Sequence, residues 1–177
     1  NFLFDILNPV PTMLNEEAYQ GLLQVLSPAL RDVLPAVYMW DAHLGMHVVN
    51  RVALERSGRR SDFDAAVIDA GLSALRFTHP ASRFQYYDIA QLWSDIGRCE
   101  EAGLHVIHLA PEPLSAGEVF RAITHRSMPV TNARVHQEDM QTRHSALWGR
   151  DDGYIEDAAA VLPRIVQFCT HDRAVRS

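Results

Sequence analysis

The sequence predicts an α/β chain, read as a single domain over 1–177: a mainly helical part over 1–72, then a small, mostly parallel sheet flanked by helices over 73–177. Three observations carry that expectation. Apolar residues recur at helical spacing through the first part. From Ser73 the pattern changes to short apolar or aromatic runs alternating with helical stretches. A capped helix starting at Asp88 feeds through Gly103 into LHVIHLA (104–110), a strand, helix, strand unit whose short joints imply a right-handed crossover and parallel strands.

Each element has its own local signal. Over 15–26, Tyr19, Leu22, Leu23 and Leu26 lie on one helical stripe, with Asn15 suited to the N-cap and Glu16 and Glu17 to the positive dipole end. Ser27 and Pro28 predict a new helix start, whose stripe of Leu30, Val33, Leu34, Val37 and Tyr38 continues toward Trp40. Pro35 leaves open one kinked helix or two. The segment 44–54 reads as helical. RSGRRSD (56–62) is a charged connection, after which Ser61 or Asp62 caps a short helix ending near Gly71.

Further on, 74–78 and 84–87 read as strands separated by the HPAS turn. The helix after Asp88 carries the stripe Ile89, Leu92, Trp93, Ile96 and Cys99, and LHVIHLA reads as a buried strand. Ser115 and Glu118 form the capping box SAGE, which predicts a helix to about His125. A last helix is expected over 156–169 despite Pro163.

Composition excludes several chemistries. All 16 basic residues are Arg, so a Schiff-base lysine, a GxxxxGK(S/T) phosphate loop and a YxxxK proton relay are all absent from this sequence. A net charge of −6 speaks against non-specific nucleic-acid binding, which needs a basic excess. The two cysteines, Cys99 and Cys169, lie far apart and read as buried thiols of a reducing compartment. No membrane span or signal segment is expected, and the reading is a cytoplasmic protein. The chain starts at Asn1 without an initiator Met, the expectation being a processed end or a cut from a longer chain.

The remaining motifs hold the candidate chemistry. His43 and His47, at i and i+4 with Asp41 nearby, would share a helix face; HLGMH lacks the Glu of HExxH and no third ligand is evident. His105 and His108 would point to opposite faces of a strand. No GxSxG elbow and no GxG pair occur. Arg83, Gln85 and Tyr87 alternate on one strand face and would aim polar groups into a crevice at a strand end. Arg143 and His144 pair a guanidinium with an imidazole, a combination suited to an anionic ligand.

SALRFTHPASRFQYYDIAQLWSDI, followed by GLHVIHLAPEPLSAGEVF and by DMQTRHSALWGRDDGYI, resembles the C-terminal part of extended short-chain dehydrogenase/reductases, the NAD-dependent nucleotide-sugar epimerase/dehydratase family. The likeness rests on Asp88-Ile89-Ala90 at a strand-to-helix joint and on Glu112-Pro113-Leu114 before the Ser115 cap. It is clearest over 73–119 and weakest over 13–60. NFLFDILN is similar to the segment after the family's catalytic half, with Asn1 in place of an Asn near the sugar-nucleotide pocket. The family's Gly-rich turn and YxxxK precede the matched region and are absent. Its diphosphate-gripping Arg falls at Ala81, with Arg83 the nearest replacement.

The resemblance implies a Rossmann-type enzyme's substrate-binding portion, acting on a nucleotide-sugar or similar substrate. Asn1, Arg83, Gln85, Tyr87, Arg143 and His144 would be its polar contacts. The chain alone would bind no cofactor and turn nothing over; NAD or NADP belongs to the complete enzyme, with its N-terminal half as partner. The rival reading is a non-catalytic binding or interaction module derived from that family, whose open sheet edge would favour homo-oligomers. A metal-dependent hydrolase using His43 and His47 is the third.

Overall fold

The computed structural model describes residues 2–176 and divides into two compact units, Asn1–Phe77 and Thr78–Ser177. The division falls close to the change of pattern at Ser73.

The first unit runs α1 (Phe2–Leu7), β1 (Met13–Leu14), α2 (Glu16–Val25), α3 (Pro28–Val37), β2 (Tyr38–Asp41), β3 (Met46–Val49), α4 (Arg51–Arg56) and α5 (Arg60–Asp69), then a 3-10 turn, Ala74–Phe77. Asn15 caps α2 by accepting from the Ala18 N–H at 2.8 Å. α3 is one helix that contains Pro35, three residues before Tyr38 begins a strand.

Two helical expectations give way to strands here. The stripe that seemed to run on to Trp40 stops at Val37, and Tyr38 begins β2, its buried hydroxyl donating to the Pro11 carbonyl. The segment 44–54 is not one helix. Gly45, at φ 61°, and the Asp41 carboxylate, which accepts from the His43 and Leu44 N–H groups at 2.9 and 3.1 Å, close a turn between β2 and β3. Only α4, capped by Asn50, is helical. The sheet order is β1-β3-β2, all antiparallel. Leu14, Leu22, Leu34, Val37, Leu54, Phe63 and Val67 fill the core beneath it.

The second unit runs β4 (Arg83–Phe84), a 3-10 turn at Ile89–Gln91, α6 (Leu92–Glu101), β5 (Leu114–Ser115), α7 (Ala116–Thr124), a 3-10 turn at Ser145–Trp148, and α8 (Ala158–Arg176). The α7 capping box forms as the SAGE motif predicts, and α7 packs on α8 around Val119, Phe120, Ile123, Val161 and Ile165.

The chain is thus α/β in the sense that helices and small sheets share it, but the parallel sheet is corrected. β4 pairs β5 antiparallel, Arg83 opposite Ser115 and Phe84 opposite Leu114. One isolated parallel bridge links Arg83 to Gln137. The crossover fails because LHVIHLA forms no strand: Val106 is 81% exposed, and pairing starts only at Ala110, whose carbonyl accepts from Ile155 N–H at 3.0 Å. Residues 74–78 are likewise no strand but a 3-10 turn, with Phe77 exposed. Within 84–87 only Phe84 is in a ladder. In each case an apolar run lacks a neighbouring strand to satisfy its backbone, so the backbone turns or faces water.

Candidate ligand cleft

A cleft of about 350 Å³ opens in the second unit between residues 106–108 and 141–144. One wall is Val106, Ile107 and His108, the extended exit from α6; the other is Gln141, Thr142, Arg143 and His144. Thr142 anchors the second wall: it is buried, donates its N–H to the Gly153 carbonyl at 2.8 Å, and accepts from the His144 N–H at 3.2 Å through its hydroxyl. Gly153 has φ 86°, and a Cβ there would lie 3.2 Å from the Gln141 side chain. Glycine is therefore needed twice over, for backbone and for space.

Arg143 is exposed, and among the described residues it forms no ion pair; His108 is exposed and His144 half-buried beside it. A guanidinium without a carboxylate partner, lining one cleft with two imidazoles, is a surface suited to an anion rich in oxygen acceptors. The sequence pointed to Arg143 and His144. It missed His108, because a strand reading sends that residue elsewhere; the residue type was the only signal.

The other expected contacts lie differently. Asn1 lies outside the described residues. Arg83 donates to the Pro113 carbonyl at 2.6 Å. The Gln85 amide donates to the Pro111 and Met140 carbonyls at 2.6 and 2.8 Å and accepts from the Met140 N–H at 2.8 Å. Tyr87 donates its hydroxyl to Asp95 at 2.7 Å, and burial first, then that hydrogen bond, push its phenol well above the usual range. These three side chains join segments of the unit, and none of them lines the cleft.

His43 and His47 do not share a helix face. His43 stands in the β2–β3 turn; His47, on β3, bonds Glu16 at 2.8 Å and stacks on Tyr19 at 3.8 Å between ring centres. Among the described residues no group of three or more His, Cys, Asp or Glu is placed to hold a metal.

At the N-terminus of α7, where a strand, turn, helix unit would seat a pyrophosphate, the Glu118 carboxylate already accepts from the Ser115 N–H and hydroxyl. No described helix is long and apolar enough to cross a membrane. Comparison of the chain with protein-family models, curated proteins and solved structures found no match.

Proposed function

We propose that this chain is the substrate-binding portion of an NAD-dependent epimerase/dehydratase-like oxidoreductase, holding a nucleotide-sugar or similarly anionic substrate. The observation that supports the reading is the cleft that Arg143 lines together with His108 and His144, Arg143 having no ion pair among the described residues. A diphosphate would take the guanidinium by paired N–H donors, with each imidazole adding one more. The neighbouring Val106 and Ile107 offer an apolar flank to a base or sugar face. In this reading the chain orients the substrate, and hydride and proton transfer belong to a cofactor-binding half that this sequence does not contain.

The test is a titration of the purified chain with a nucleoside diphosphate, followed by NMR. Shifts confined to the side chains of Arg143, His144 and His108 are expected. An unchanged spectrum at millimolar nucleotide overturns the reading.

A second reading, a non-catalytic interaction module, is favoured by one observation. Ile89, Trp93 and Ile96 follow each other along one side of the α6 region and are 77%, 84% and 38% exposed. Sizing at several concentrations separates the two, since a monomer throughout removes the self-associating form of the module.

A further inference from the structure

Among the described residues Asp95 is the most enclosed carboxylate of the second unit, at 2% exposure, and it sits at a junction of three segments. Its Oδ2 accepts from the Tyr87 hydroxyl at 2.7 Å. Its Oδ1 accepts from the Trp148 indole Nε1–H at 3.0 Å and from the Arg98 guanidinium at 3.2 Å. That guanidinium also lies over the Trp148 ring, 5.3 Å from its centre and so within the roughly 6 Å reach of a cation–π contact.

The position of these groups relative to the cleft is what matters. Trp148 ends the 3-10 turn that starts directly after His144, so the indole anchors the segment that presents Arg143 and His144. Asp95 stands on α6, and the same helix, closed by the Leu104 N–H to Cys99 carbonyl bond at 2.9 Å, leads straight into the opposite wall at Val106–His108. One carboxylate therefore ties the element before one wall to the element after the other. Resting on the cleft reading above, we propose that Asp95 is a positioning residue for the anion cleft, acting through Trp148 to hold Arg143 and His144 at a set distance from His108.

A buried carboxylate with three donors is well satisfied, so it is a rigid anchor rather than a group in search of a ligand. Loss of the indole bond frees the 3-10 turn to shift. An Arg that must meet a diphosphate in two-point geometry is sensitive to shifts of that kind.

Inorganic pyrophosphate, titrated calorimetrically into the full chain, is the probe. Trp148→Phe, which keeps an aromatic ring and removes the donor, should weaken binding about fivefold or more. Asp95→Ala should do the same, and Asp95→Asn, which retains an acceptor oxygen for the indole, should recover most of the loss. In an Arg143→Ala background, Trp148→Phe should add less than about twofold, because the group it positions is gone; a merely structural role would lower the melting temperature equally in both backgrounds and spare this coupling. If wild type binds pyrophosphate and Trp148→Phe binds it equally well, or loses the same factor in both backgrounds, the proposal is overturned while the cleft reading stands. If wild type binds no pyrophosphate, both are overturned. Should the variants not fold, the wild-type indole line of Trp148 serves instead, assigned against Trp40→Phe and Trp93→Phe: pyrophosphate must shift it and slow its exchange with solvent, and an unmoved line overturns the proposal.

Discussion

Gln85 meets Met140 as a strand would meet its neighbour: the side-chain Oε1 accepts from the Met140 N–H and Nε2 donates to the Met140 carbonyl, both at 2.8 Å. The same amide nitrogen also donates to the Pro111 carbonyl. A side chain thus supplies the ladder that the backbone after Phe84 does not. Gln85→Ala leaves two carbonyls and an N–H without that partner and should destabilise the second unit by about 2 kcal/mol. Gln85→Glu should cost at least as much, since it faces both carbonyls with an acceptor. Chemical denaturation followed by far-UV circular dichroism checks both.

Arg143→Ala should weaken nucleoside diphosphate binding about tenfold, equivalent to about 1.4 kcal/mol. The wild-type affinity should fall as salt rises, and the variant's should fall less, because the exposed guanidinium is screened. Isothermal titration at two salt concentrations measures both quantities.

Gly153→Ala should destabilise the second wall of the cleft by about 1–2 kcal/mol, as the added methyl meets both a left-handed backbone and the Gln141 side chain. Its melting temperature should drop, and amide exchange at Thr142, which donates to the Gly153 carbonyl, should speed up.

Ser115→Ala removes the α7 cap and should cost about 1 kcal/mol near neutral pH. The Ser115 hydroxyl first, and then its backbone N–H, hold the Glu118 carboxyl below its ordinary value against a smaller opposing effect of burial. A carboxyl depressed in the folded state contributes stability above its unfolded pKa and loses it as pH falls through the folded one. The wild-type advantage over the variant should therefore be full above about pH 5 and shrink below about pH 4. Melting curves across that window read the difference.

Phe63, fully buried in the first unit's core, gives a prediction for that unit alone. Phe63→Ala should cost about 3–5 kcal/mol. The loss should appear as unfolding of residues 2–77, with the second unit's amides still protected in hydrogen exchange.

The sequence by itself determined the elements whose stabilisation is local. The Asn15 cap and the SAGE capping box satisfy helix ends with side chains three residues away, so spacing alone reveals them, and Pro28 fixes the backbone at the start of α3 without a side-chain cap. Arg143 and His144 were legible in the same way, as residue types with no place on an apolar stripe. Tertiary structure decided wherever a segment needed a distant partner. Tyr38 to Trp40 leaves the helix because β3 is there to pair with it, and LHVIHLA forms no strand because no neighbour receives its backbone. His108 joins the cleft for that reason, and Asp95 became an anchor only when Tyr87, Arg98 and Trp148 met around it. A strand or a buried carboxylate is completed by groups far away in sequence, and no local spacing records which groups those will be.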